Sequence, residues 1–124
     1  MSREERRFSP EEANAELADL RARLPRLRDA RQTMIAASRR IGEAVAADGG
    51  GVAGSDWFAA QQTLRDDVTA LAERGILLRD PDSGLVDFPG EVDGRRVFLC
   101  WRLGEEAVSW FHEVDSGYVT RQPL

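Results

Sequence analysis

The chain has 124 residues, with 17 Arg, no Lys and 22 Asp plus Glu, for a formal charge of -5; 42% of residues are hydrophobic and 31% charged. That balance describes one globular domain over residues 1–124 and excludes a chain disordered throughout. No apolar run approaches the ~18 residues of a membrane helix, and no apolar stretch follows the start at Met1 to Arg7, so neither a membrane span nor a signal peptide is expected and a cytoplasmic location is. The single cysteine, Cys100, and the single histidine, His112, exclude an internal disulfide and a zinc site built only of Cys and His.

Residues 1–8 read as a flexible N-terminus. Ser9-Pro10-Glu11-Glu12 then combines a hydroxyl N-cap, a proline at the first helical position and acids where the helix dipole is positive. A first helix is therefore expected over 9–47, about 57 Å long at ~1.5 Å per residue. Ala13, Leu17, Leu20, Leu24, Leu27, Met34, Ile41 and Val45 fall on spacings of four and three, with Arg31 and Ser38 at the missing steps, which is a heptad seam of coiled-coil type. Pro25 lies inside it and costs about 3 kcal/mol in a helix interior, so a kink or a division into two segments is expected there. Arg21, Arg23, Arg26, Arg28 and Arg31 form a basic stripe, but Glu16, Asp19 and Asp29 sit among them, and a net acidic chain opposes nucleic-acid binding.

Residues 48–54 are glycine-rich and lack the lysine and hydroxyl of a phosphate-binding loop, so they read as an interhelical turn. A second helix over 55–75 follows, capped by Ser55 or Asp56, with Trp57, Gln61, Leu64, Val68 and Leu71 on its seam and Gly75 ending it. The two helices form an antiparallel hairpin in which the second covers only the distal part of the first. Residues 10–28 must be covered by the C-terminal third or by a second copy of the chain.

Residues 76–124 read as a small antiparallel sheet of three strands and a tail, giving an α+β fold. Asp93-Gly94 is a strong hairpin turn and pairs Val92 with Arg95, Glu91 with Arg96, Phe88 with Leu99, Asp87 with Cys100 and Val86 with Trp101, unless Pro89 introduces a bulge. A tight turn at Gly104-Glu105 returns residues 107–113 as the third strand, with Val108 beside Trp101 and Trp110 beside Leu99. Alternation then places Val86, Phe88, Val97, Leu99, Trp101, Val108, Trp110 and His112 on a core face. Leu85, Asp87, Phe98, Cys100, Arg102, Ser109 and Phe111 occupy a mixed second face suited to a partner or a ligand.

The run Gly84-Leu85-Val86-Asp87-Phe88-Pro89, then Leu99-Cys100-Trp101-Arg102-Leu103-Gly104-Glu105, then His112, Gly117 and Arg121, together with Phe8-Ser9-Pro10-Glu11-Glu12-Ala13-Asn14, resembles a bacterial family of small proteins known as domain of unknown function 2203. The resemblance spans nearly the whole chain. It implies an α+β domain and carries no assigned activity, substrate or cofactor.

Chemistry must therefore be read from the residues. Glu105, His112 and Arg121 offer a carboxylate, an imidazole and a guanidinium near one end of the sheet, a set able to handle a proton and an anion. Asp87, Cys100, Arg102, Trp110 and Phe111 are candidate ligand-binding residues. The expected register turns Asp87 and Cys100 away from His112, which argues against a Cys–His nucleophile and against a metal site; no cofactor is expected. The acidic run 80–84 lacks the later ligands of a calcium loop. With no catalytic signature, the leading expectation is a non-enzymatic protein-interaction or small-ligand-binding module. It would be a homodimer through the helix 1 seam or the mixed sheet face. A small enzyme or metal-dependent binder using Glu105, His112 and Arg121 is the alternative.

Overall fold

The computed structural model describes residues 6–48 and 54–124, with side chains for 6–40 and 56–124. The centre of the glycine-rich turn and the side chains of Ile41, Val45 and Ser55 lie outside the described residues; the second helix already begins at Gly54, so Ser55 and Asp56, expected to cap it, lie within its first turn. Helix α1 (Pro10–Ala15) leads into α2 (Leu17–Asp48), α3 (Gly54–Glu73) runs back, and β1 (Leu77–Asp80), β2 (Leu85–Val92), β3 (Arg95–Arg102), β4 (Trp110–Glu113) and β5 (Gln122–Pro123) follow, with a short 3₁₀ turn at Tyr118–Thr120. The strands form one antiparallel sheet in the order β1-β2-β3-β4-β5. Among the described residues, no helix is long and apolar enough to cross a membrane.

The helix start is as its residues dictate: the Ser9 hydroxyl accepts the Glu12 amide and the Glu12 carboxylate accepts the Ser9 amide, both at 3.0 Å. The division of the first helix, however, lies at Glu16 and not at Pro25, through which α2 runs without interruption. Asn14 supplies a reason. Its side-chain amide donates to the Pro10 carbonyl at 2.9 Å while its oxygen accepts the Val108 amide at 2.8 Å, and the Glu16 amide steps back to the Ala13 carbonyl at 3.1 Å. A local side-chain bond thus competes with the helical ladder where the chain must also hold a loop of the sheet.

α2 and α3 are antiparallel, since Arg23 and Arg26 meet Asp67 near one end and Arg40 meets Asp56 near the other. The α3 interface is Ala60, Leu64, Asp67 and Leu71; Val68, expected on the seam, is 44% exposed, and the buried Asp67 takes the neighbouring place. Its two oxygens accept Arg23 and Arg26 at 2.6–2.9 Å, which is what makes a buried carboxylate tolerable there. α3 ends in a Schellman arrangement: Gly75 at φ 77 donates to the Ala72 carbonyl, and Ile76 to that of Leu71, both at 3.0 Å.

The proximal seam is covered by the chain's own sheet. Ala13, Leu17, Leu20, Leu24 and Leu27 form one buried cluster with Val86, Phe88, Val97, Leu99, Trp101, Val108 and Phe111. Phe8, which the sequence places in the free terminus, joins it: its ring meets Phe88 edge-on at 5.1 Å, and its backbone bridges Gly90 in parallel. Of the basic stripe, Arg23, Arg26, Arg28 and Arg31 are in ion pairs and Arg21 donates to the Glu106 carbonyl.

Five strands stand where three are expected, because the short run at residues 77–80 and the tail at 122–123 both pair with the sheet. The β2–β3 register is as expected, residue for residue, with no bulge at Pro89. The β3–β4 register differs by one: Leu99 pairs with Phe111, Phe98 with His112 and Cys100 with Trp110. The cause is the connection. In place of a two-residue turn, a longer loop is held by the Glu105 amide on the Arg102 carbonyl at 3.0 Å, the Arg102 amide on the Glu105 carboxylate at 2.8 Å, the Trp101 indole on the Glu105 carbonyl at 3.1 Å, and Val108 on Asn14.

Candidate functional site

A one-residue slip reverses the facing of every side chain on a strand. On β4 it moves Phe111, expected on the mixed face, into the core at 7% exposure, and moves Trp110 and His112 from the expected core face to the other side. Leu77, Asp87, Cys100, Trp110 and Pro123 consequently form one row of register partners across the sheet, with His112 one pleat along from Trp110. The expectation that Asp87 and Cys100 face away from His112 is thereby overturned. Asp87, Cys100 and His112 are each no more than 2% exposed, and one ligand-type atom from each lies within 4.8 Å of the others.

His112 Nε2 lies 2.9 Å from Asp87 Oδ2, and His112 Nδ1 lies 2.9 Å from the Glu113 carbonyl oxygen. A carbonyl only accepts, so Nδ1 carries a hydrogen. The same Asp87 oxygen also accepts Arg79 Nε at 2.9 Å, while Asp87 Oδ1 is buried without a hydrogen-bond partner. Arg79 lies over the Phe98 ring at 5.0 Å, and Phe98 in turn packs on the His112 ring at 5.5 Å.

Burial pushes the Cys100 thiol up to about 11, assisted by the negative charge of Asp87 and opposed by the Arg121 guanidinium beside it. A thiol so held is a small buried group with little thiolate, and His112 Nε2 is engaged with Asp87, so the pair lacks the activated geometry of a cysteine nucleophile.

The sequence-expected trio divides. Glu105 and Arg121 meet in a two-pronged ion pair at 3.1 and 2.6 Å, which holds the guanidinium's basicity above its ordinary value and packs it on Trp110 and Tyr118 at 4.7 and 4.2 Å. His112 belongs to the Asp87 pair instead. Arg102 is exposed, 6.0 Å from the Tyr118 ring, and outside the cluster. Phe98, expected on the mixed face, completes the site with Arg79 and Tyr118, which sequence reasoning missed; a strand at 77–80 paired with β2 puts Arg79, by alternation, on the face of Asp87.

The segment after β4 folds over this face. It leaves a cavity of about 410 Å³ with Asp87 and His112 in its lining, bordered by Arg79, Leu85, Val114 and residues 115–118. This open cleft, the acid–imidazole pair in its wall and the adjoining thiol suit the holding of a small ligand or an ion.

No curated protein and no solved structure matches the chain. A family model described as Uncharacterized conserved protein (DUF2203) matches residues 6–124, a span that includes every residue of this site, and the chain belongs to that family.

Proposed function

We propose that the protein is a non-enzymatic small-ligand-binding module whose ligand, a small molecule with an acidic group, enters the cavity over the Asp87–His112 pair. The observation that carries this reading is the buried pair in the wall of a cavity of about 410 Å³ whose rim holds the 43%-exposed Arg79 side chain. Arg79 is fixed through Nε by Asp87 and by the Phe98 face, so its fork is already oriented for a carboxylate or phosphate. Catalysis by Glu105, His112 and Arg121 has less support, because Glu105 and Arg121 neutralise one another and His112 is shared with Asp87. A cytoplasmic setting belongs to this reading.

Thermal melting with inorganic phosphate and with citrate at millimolar concentration tests it. A rise in Tm with at least one of the two, absent in Arg79→Ala, is expected; no rise with either overturns it. The protein-interaction class keeps one observation, Phe58 at 67% and Ile35 at 40% exposure on the distal hairpin. Light scattering at micromolar concentration tests self-association through that end, and a mass of one chain would exclude it.

A further inference from the structure

We propose that Asp87, Cys100 and His112 form a site for one divalent transition-metal ion of the zinc class, with its remaining coordination position open to the cavity. The proposal rests on the binding reading only for the route of entry through the cavity; the donor set stands by itself.

A thiol sulfur, an imidazole nitrogen and a carboxylate oxygen are the mixed donors that borderline divalent ions take, whereas calcium and magnesium require oxygen throughout. The imidazole is already set. With Nδ1–H held on the Glu113 carbonyl, a neutral His112 presents the Nε2 lone pair toward Asp87 and Cys100, the arrangement found behind metal-bound histidines. Two acceptors facing each other at 2.9 Å need a cation between or beside them, either a proton or a metal ion. Asp87 supplies the second sign: Arg79 and His112 both take Oδ2, and Oδ1 is left buried without a partner. An unpartnered buried carboxylate oxygen is costly in a fold unless something fills its place.

Distances and charge agree. Bonds of ~2.0–2.3 Å in a tetrahedral site space the ligand atoms roughly 3.3–3.8 Å apart. The present spread, within 4.8 Å, needs a contraction of about 1 Å at its widest as the ion binds. Thiolate plus carboxylate balance a divalent charge, so the ion adds no net charge to the buried cluster once the protons leave. Arg79 can stay on Oδ2 while Oδ1 binds, as an outer partner that orients the carboxylate.

The test is a cobalt(II) titration of the metal-stripped wild-type chain under reducing conditions, read by absorption. Expected are saturation at one equivalent, a thiolate-to-cobalt charge-transfer band in the near ultraviolet, visible bands of four-coordinate intensity, and displacement of all of them by zinc. Cys100→Ser should abolish the charge-transfer band and weaken binding by more than the ~10–100-fold typical of outer partners. Arg79→Ala, which removes the proposed acid-binding rim, should keep the band, so failure of the ligand reading and failure of the metal reading are told apart. Circular dichroism shows whether each variant folds; should Cys100→Ser not fold, the wild-type titration decides alone. A folded wild type without the thiolate band, or a Cys100→Ser variant that keeps band and affinity, overturns the proposal.

Discussion

Leu99 pairs with Phe111 across β3 and β4, and that pairing sends His112 to the face that carries Asp87 and Cys100. The exchange puts a phenylalanine under α2 and an imidazole beside a carboxylate. The energetic sense is direct: an apolar ring gains burial in the core, and a polar ring gains two hydrogen-bond partners on the other side.

The His112–Asp87 pair should be costly to break. His112→Phe keeps a ring against Phe98 but removes both hydrogen bonds and leaves Asp87 to Arg79 alone. A loss of about 3 kcal/mol in urea unfolding is expected, with part of it recovered in the double variant Asp87→Leu/His112→Phe. A loss below about 0.5 kcal/mol would mean that the pair carries no such weight.

Cys100 makes stability fall in alkali. Its folded value of about 11 lies above the ordinary thiol value of 9.0, so between these the unfolded state has released a proton that the folded state keeps. The stabilising contribution is complete below about pH 9 and declines as pH rises toward about 11. In the metal-free chain, thiol alkylation at pH 8 should therefore be slow until the protein unfolds, and Cys100→Ala should flatten the alkaline decline; a fast-reacting thiol at pH 8 would contradict the burial.

Much of this fold is legible in the residues because the relevant signals are short-ranged. Ser9 to Glu12 make their cap, Gly75 ends α3 at positive φ, and Asp93-Gly94 sets the β2–β3 register, including the Asp87–Cys100 pairing. What escapes reading depends on partners distant in sequence. Asn14 holds Val108 from 94 positions away, Asp67 is buried only because Arg23 and Arg26 reach it, and the Arg102 to Ser109 loop sets the β4 register through bonds no turn motif announces. Asp87, Cys100 and His112 each stand out in the sequence, yet their convergence depends on the β4 register, which the sequence does not announce.

The Glu105–Arg121 pair should fasten the C-terminal segment over the site. Arg121→Ala is expected to cost about 1–3 kcal/mol and to speed exchange of the Leu124 amide, which donates to the Ser109 carbonyl at 2.9 Å. Arg121→Lys should not restore protection, since a single ammonium cannot reproduce the two-pronged contact. Unchanged exchange in Arg121→Ala would show that the segment is held otherwise.

Gly90 lets the N-terminal segment lie against β2. A Cβ there would stand 2.9 Å from both the Phe8 carbonyl oxygen and Leu99 Cγ. Gly90→Ala should cost about 1–3 kcal/mol and expose the bond after Arg7 to trypsin, because the Phe8 bridge is the contact displaced. Cleavage as slow as in the wild type would place the anchor elsewhere.

The convergence of Asp87, Cys100 and His112 depends on how β4 is aligned with β3, and cross-strand nuclear Overhauser contacts measure that alignment in solution. Backbone contacts joining Leu99 with Phe111 and Phe98 with His112 are expected. Contacts joining Leu99 with Trp110 instead would return His112 to the core face, separate it from the other two residues, and contradict the site.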